Sequence, residues 1–318
     1  EMHQACFAGR KVFTVGEMPT LSMERAAEVT NLANPKLSLI FQFGHLGLDE
    51  IPGQGKWALK KLDLVEFKHY YERMQHGLFD KGWNSLFFEN HDQPRCVSRY
   101  GSEDYRLDSA KMLATFLYGM QGTPYVYQGQ EIGAINAKFP DLTHFRDIET
   151  INMAKEYRDK GWSEDEIMAS LHAKSRDNAR IPMAWDDSKF GGFSSREPWL
   201  ECHPRYQEIN VTKDQSNPNG VFHYFQKLLA LRKQHQVFLD GDFKLVWEDH
   251  PSIASYIRQN EEEQVLVITS FSNQEVTLDA GAFQTYQVLL ANQEAVKLNQ
   301  QSKFPPYYAA IYRQRRSQ

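Results

Sequence analysis

The sequence predicts an α/β chain: the second half of a (β/α)8 TIM barrel followed by a small antiparallel β-domain. Three observations lead there. Four short apolar runs, at residues 12–15, 37–43, 84–88 and 123–127, alternate with segments of helical periodicity. Near-continuous apolar runs of this length suit parallel strands covered on both faces, and strand–helix repeats imply right-handed crossovers. Beyond about residue 238 the pattern changes to short, evenly spaced, β-branched runs. Four units do not close a barrel, which takes about 250 residues before any further domain.

Each element follows from local chemistry. Residues 1–9 read as a helix-like lead into the first strand. Leu64, Phe67, Tyr71, Met74 and Leu78 recur at helical spacing and predict an amphipathic helix over 63–79. Ala110, Leu113, Ala114 and Leu117 do the same for 106–118, and Phe222, Phe225 and Leu229 for 221–235. A polar excursion at 141–212 is read as an insertion of the lid or substrate-wall kind. Within it a helix is expected over 163–174, opened by a capping box of Ser163 and Glu166. Strands are expected at 243–247, 253–258, 265–270, 275–278, 286–290 and 309–313. The domains are therefore 1–238, part of a catalytic barrel, and 239–318, a C-terminal β-domain.

Composition narrows the function classes. The chain has 318 residues, 41% of them hydrophobic, enough for a large core. Aromatics reach 13%, which suits a cleft that stacks on sugar rings, although most are expected to fill the core. The net charge of −5 argues against nucleic acid, since the one basic cluster, Arg313 to Arg316, lies at the tail. No apolar run is long enough to span a bilayer, and residues 1–12 read as mixed polar helix rather than a leader. Cys6, Cys96 and Cys202 are sparse and odd in number, which fits a reducing, cytoplasmic setting better than a disulfide framework. No His or Cys spacing suggests a metal.

The chemistry sits at strand ends. Phe88-Glu89-Asn90-His91-Asp92-Gln93-Pro94-Arg95 places an imidazole, a carboxylate and a guanidinium just past the third strand. Val15-Gly16-Glu17-Met18-Pro19 places a glutamate past the first; a carboxyl backed by apolar residues there is suited to a raised pKa and general acid work. Glu17 and Asp92 would face one mouth, as glycoside hydrolysis requires of its two carboxylates. Arg176-Asp177-Asn178-Ala179-Arg180 adds arginines; Arg176 and Asp177 read as a structural salt-bridge loop.

These segments, with Phe41-Gln42-Phe43, Gly82-Trp83-Asn84-Ser85-Leu86, Gly122-Thr123-Pro124-Tyr125-Val126-Tyr127-Gln128-Gly129, Arg146-Asp147-Ile148-Glu149-Thr150 and Glu208-Ile209-Asn210-Val211, occur in one order over most of residues 1–260. In that order they resemble glycoside hydrolase family thirteen, the α-amylase family, in its oligo-1,6-glucosidase, dextran glucosidase and trehalose-6-phosphate hydrolase group. The resemblance implies a barrel with a C-terminal β-sandwich and retention at the anomeric carbon. It implies that Glu17 is the general acid/base and that Asp92 grips the sugar and stabilises the transition state. It implies that His91 and Arg180 line the same subsite.

The resemblance also places the nucleophilic aspartate on the strand before the one ending at Glu17. No aspartate of this chain fits that motif, so none is assigned. The family's calcium loop falls outside the sequence as well, and no metal or other cofactor is expected. The expectation is a piece of a longer retaining α-glucosidase, acting on short isomalto-oligosaccharides and inactive by itself. The alternatives are a trehalose-6-phosphate hydrolase, for which Lys138 and Lys174 are the phosphate candidates, and a non-catalytic sugar- or partner-binding relative. The chain departs from the family pattern at Glu89, Gly44-His45, Gln130-Glu131 and Ile181-Pro182-Met183-Ala184-Trp185, all expected near the cleft mouth.

Overall fold

A computed structural model describes residues 3–316. A π-helical turn, His3–Phe7, leads in; the rest of the expected lead, Glu1 and Met2, lies outside the described residues. Strand β1 (Val15–Glu17) pairs in parallel with β2 (Leu39–Phe41) across helix α1 (Met23–Val29). Helix α2 (Leu64–Leu78) follows, then β3 (Ser85–Leu86). Helices α3 (Cys96–Tyr100) and α4 (Arg106–Tyr118) precede β4 (Thr123–Pro124), which pairs in parallel with β3. A parallel bridge between Ile40 and Asn84 joins the two pairs, so the strands run in the order β1-β2-β3-β4. This is four consecutive strands of a parallel barrel wall.

Asp63 caps α2 by accepting the N–H groups of Val65 (2.8 Å) and Glu66 (3.2 Å). The apolar stripe of α2 then buries Phe67 and Tyr71, whose rings stand 5.4 and 5.3 Å from that of Phe116 on α4. The first strand differs from expectation. It begins at Val15, and Val12, Phe13 and Val15 are 46%, 65% and 41% exposed. Among the described residues β1 pairs with β2 alone.

The excursion after residue 141 is not simply polar. It holds α5 (Ile148–Asp159), α6 (Glu164–Lys174), α7 (Asp177–Arg180) and α8 (Val211–Ser216). Phe139, Phe145, Met153, Ile167, Leu171 and Leu200 form a core of their own with Trp57. The Ser163–Glu166 capping box is present at the start of α6.

Helices α9 (Val221–Gln234) and α10 (Val237–Asp240) lead to the C-terminal strands. These are β5 (Asp242–Val246), β6 (Ile253–Gln259), β7 (Glu263–Ser270), β8 (Val276–Leu278), β9 (Gln287–Ala291), β10 (Ser302–Phe304) and β11 (Ala309–Arg315). Five form an antiparallel sheet in the order β5-β6-β7-β11-β9, and β8 pairs with β10 in a second sheet. Period-2 alternation sorts the side chains of the large sheet. Tyr256, Val265, Val267 and Ile311 join the core shared with α2 and α4, while Leu266, Ile268 and Tyr312 join Phe304 and Leu298 on the other side.

Candidate active site

The carboxyl ends of β1 to β4 open on a cavity of about 200 Å³. Glu17, at the end of β1, and His91, past β3, both line it, with Phe41, Phe43, Phe87, Tyr125 and Tyr127 as an aromatic wall. Phe41 packs edge-on against Phe87 (5.0 Å) and Tyr125 (4.6 Å), so the wall is rigid. Glu17 is exposed, with Phe41 opposite it on the neighbouring strand.

Asp92 stands beside His91, with 3.4 Å between Oδ2 and the imidazole Nε2. Its backbone N–H donates to the Asn90 side chain (2.8 Å), a local turn that orients the carboxyl. The guanidinium of Arg180 donates to Asp92 Oδ1 and, through Nε, to the His91 carbonyl (2.8 Å). Asp92, His91 and Arg180 are therefore brought together, although Arg180 comes from α7, 88 residues further on.

Two members of this cluster escape sequence reasoning. Arg176, read above as structural, reaches to 3.8 Å from Asp92 Oδ1. Asp147 binds both arginines, taking Arg176 Nη2 at 2.7 Å and Nε at 3.1 Å, and Arg180 Nη1 at 3.5 Å. Burial pushes the Asp147 carboxyl up, but the Arg176 hydrogen bond and the charges of Arg176 and Arg180 outweigh this and hold it below the usual range. Asp177 is structural, as read: its buried carboxylate accepts the N–H groups of Arg146 (2.7 Å) and Asp147 (2.9 Å). Only the order of the arginine motif was visible in the sequence, since nothing local points Arg176 at Asp92.

The phosphate candidates do not stand free. Lys138 pairs with Glu103 at 2.7 Å, and Lys174 is buried against Asp49 (2.7 Å) and Glu50 (3.3 Å). A larger cavity of about 580 Å³ lies between the barrel segment and the C-terminal sheet; Lys174 lines it, and Glu17, His91, Asp92 and Arg180 do not. Among the described residues no group of three or more His, Cys, Asp or Glu is placed to hold a metal ion, and no helix is long and apolar enough to cross a membrane.

Comparison with known proteins gives the frame for these contacts. The family model "Alpha amylase, catalytic domain" matches residues 1–241, and "Alpha-amylase SusG C-terminal domain" matches 253–311. An oligo-1,6-glucosidase of Halalkalibacterium halodurans is 44% identical over 98% of this chain and 56% of its own length. A trehalose-6-phosphate hydrolase of Bacillus subtilis is 40% identical over 98% of this chain and 57% of its own length. The crystal structure of Bacillus licheniformis trehalose-6-phosphate hydrolase superposes with a TM-score of 0.94 at 36% identity, covering 99% of this chain and 58% of that one. The chain thus spans little more than half the length of the relatives it matches.

Proposed function

The chain belongs to the α-amylase family, and from that premise we propose that it carries the acid/base and sugar-gripping part of a retaining α-glucosidase acting on short isomalto-type oligosaccharides. The observation that carries the reading is the convergence of Glu17 and His91 on one aromatic-walled cavity, with Asp92 held beside His91 by Arg180. Glu17 donates its proton to the departing glycosidic oxygen and later removes one from water. The contact of the Arg180 guanidinium orients the Asp92 carboxylate. Its remaining acceptor sites and the His91 ring take hydroxyls of the sugar in the cavity, more tightly as the ring flattens towards an oxocarbenium ion. Tyr125 and Phe41 offer faces for the ring to stack on. No residue of this chain is assigned as the nucleophile. Proton transfer and charge stabilisation by these side chains require no cofactor.

A trehalose-6-phosphate specificity is the second reading, because relatives of that name match along the whole chain. The pairing of Lys138 and Lys174 with carboxylates favours the unphosphorylated substrate. The three free thiols support a reducing, cytoplasmic location.

The test is a chimera in which residues 1–318 replace the matching segment of the Halalkalibacterium oligo-1,6-glucosidase. Isomaltose turnover is expected, and Glu17→Gln should lower kcat by about a thousandfold. Undiminished turnover in that variant would refute the assignment of Glu17. Faster cleavage of trehalose-6-phosphate than of isomaltose would select the second reading.

A further inference from the structure

We propose that Asp147 is a positioning residue that holds the Arg176 guanidinium off Asp92, so that one side of the Asp92 carboxylate stays open to a sugar hydroxyl. The inference rests on the reading of Asp92 as the sugar-gripping carboxylate. It goes beyond that reading in naming what keeps the carboxylate available.

The cluster contains three carboxylates, Asp92, Asp147 and Glu149, and two guanidinium groups, Arg176 and Arg180. Arg180 serves Asp92 Oδ1 and the His91 carbonyl. Arg176 stands 3.8 Å from the same oxygen, just outside hydrogen-bond range. What holds it there is a fork: Nη2 donates to Asp147 Oδ1 at 2.7 Å and Nε to Oδ2 at 3.1 Å. Two-point pairing of this kind fixes the plane of a guanidinium as well as its distance.

Asp147 is itself immobilised. Its side chain is 2% exposed, its Oδ2 accepts the Thr150 hydroxyl (3.2 Å), and its backbone N–H is tied to the buried Asp177. The anchor therefore runs from Asp177, through the start of α5, to the Asp147 carboxylate and out to both arginines. A neutral side chain at 147 would release Arg176 with Asp92 as a near ionic partner. The freed guanidinium closes on Asp92 and occupies the acceptor sites that a sugar needs. Glu149, 3.2 Å from Arg176 Nε and 39% exposed, is the competing partner, but its Oε2 is already engaged by Lys56 Nζ at 2.5 Å.

The experiment uses the full chain and glucose as the probe. Glucose binding by titration calorimetry is measured for the wild type, Asp147→Asn, and Asp147→Asn with Arg176→Gln, with thermal unfolding as the folding control. The single variant should bind about tenfold more weakly, and the double variant should recover most of that loss. A merely structural Asp147 gives no recovery. Wild-type binding in the single variant, or a double variant no better than the single one, overturns the proposal. The crystal structure of Asp147→Asn provides the arm that needs no sugar: Arg176 should move within hydrogen-bond distance of Asp92, and its staying near 3.8 Å sinks the idea. Asp147→Ser, which keeps an oxygen at the start of α5, substitutes if the first variant does not fold. Asp92→Asn separates the two readings, because unchanged glucose binding there refutes the sugar role of Asp92 while leaving the movement of Arg176 to be decided on its own.

Discussion

Glu89 and Asp92 lie three residues apart and meet opposite environments. The Glu89 side chain is fully buried, pairs with Arg95 Nη1 at 3.0 Å and accepts the N–H of Cys96, whereas the Asp92 side chain is 36% exposed beside His91. In the sequence, Glu89 reads as a departure at the cleft mouth. In the fold it lines the cavity and is also the counter-ion of an arginine that donates to the Gln128 carbonyl at 2.7 Å. Removing one partner of a buried pair leaves the other charge uncompensated, so Glu89→Gln should cost about 3–5 kcal/mol in urea unfolding. A loss below about 1 kcal/mol would mean that Arg95 finds another counter-ion. The nearby Glu131 carboxyl, pushed up by burial, is the available one. The placement of Glu17, His91, Asp92 and Arg180 was legible because each occupies a strand end or an ordered motif. The contacts of Arg176 and Asp147 were not, because they depend on where α5 and α7 pack.

Helices were legible wherever an apolar stripe recurs at helical spacing. The expected span 106–118 is the observed α4, Ser163 caps the helix whose start it signalled, and Asp63, where the expected span 63–79 begins, caps α2. Asp63→Ala should lower stability by about 1 kcal/mol, read as a drop in Tm, since it orphans two N–H groups at the head of α2. The barrel strands were overestimated in length because apolar runs extend past the backbone pairing: residues 123–127 read as a strand, yet only Thr123–Pro124 pair. Strand β10 was missed because Ser302-Lys303-Phe304 carries a single apolar residue, where the equally short β8, Val276-Thr277-Leu278, carries two. The excursion was misjudged because its apolar residues are thinly spread and meet only in three dimensions. Leu171, fully buried in that local core, supplies the check. Leu171→Ala should cost about 2–5 kcal/mol and should raise amide exchange in α5 and α6 before the rest of the chain. Uniform exchange across the molecule would mean that the excursion has no separate core.

At the scale of the whole molecule, the C-terminal sheet and the barrel segment are one cooperative body, because Tyr256, Val265, Val267 and Ile311 share a core with α2 and α4. Two buried arginines fasten the seam. Arg232 donates to the carbonyls of Tyr118, Met120 and Gly122, and Arg258 to those of Gly119, Phe238, Gly241 and Asp242. They cap the carboxyl end of α4, where a helix dipole favours cations. Cooperativity turns local titration into global acid sensitivity. Burial pushes the imidazole of His45 down to about 3 and that of His203 down to about 4. His203 shows the physical reason, since Nδ1 accepts the Arg205 N–H (2.9 Å) while Nε2 faces the Asn136 carbonyl (3.1 Å), an arrangement that requires the neutral ring. Unfolded histidines protonate near pH 6.5, so below that value the unfolded chain binds two protons that the folded chain refuses. The stability these residues contribute is complete above pH 6.5 and is lost as pH falls towards 4, by about 1.4 kcal/mol per pH unit for each. Asp49 and Asp147, held below the usual carboxylate range, add to the loss only below about pH 4. Urea unfolding at pH 7, 6 and 5 should therefore show a fall above the ordinary carboxylate range, opposed only by Glu131 and Asp108, whose carboxyls burial pushes up. His203→Gln, which keeps a side-chain amide for the same carbonyl, should remove about half of that slope. An unchanged slope in that variant would place the acid sensitivity elsewhere in the chain.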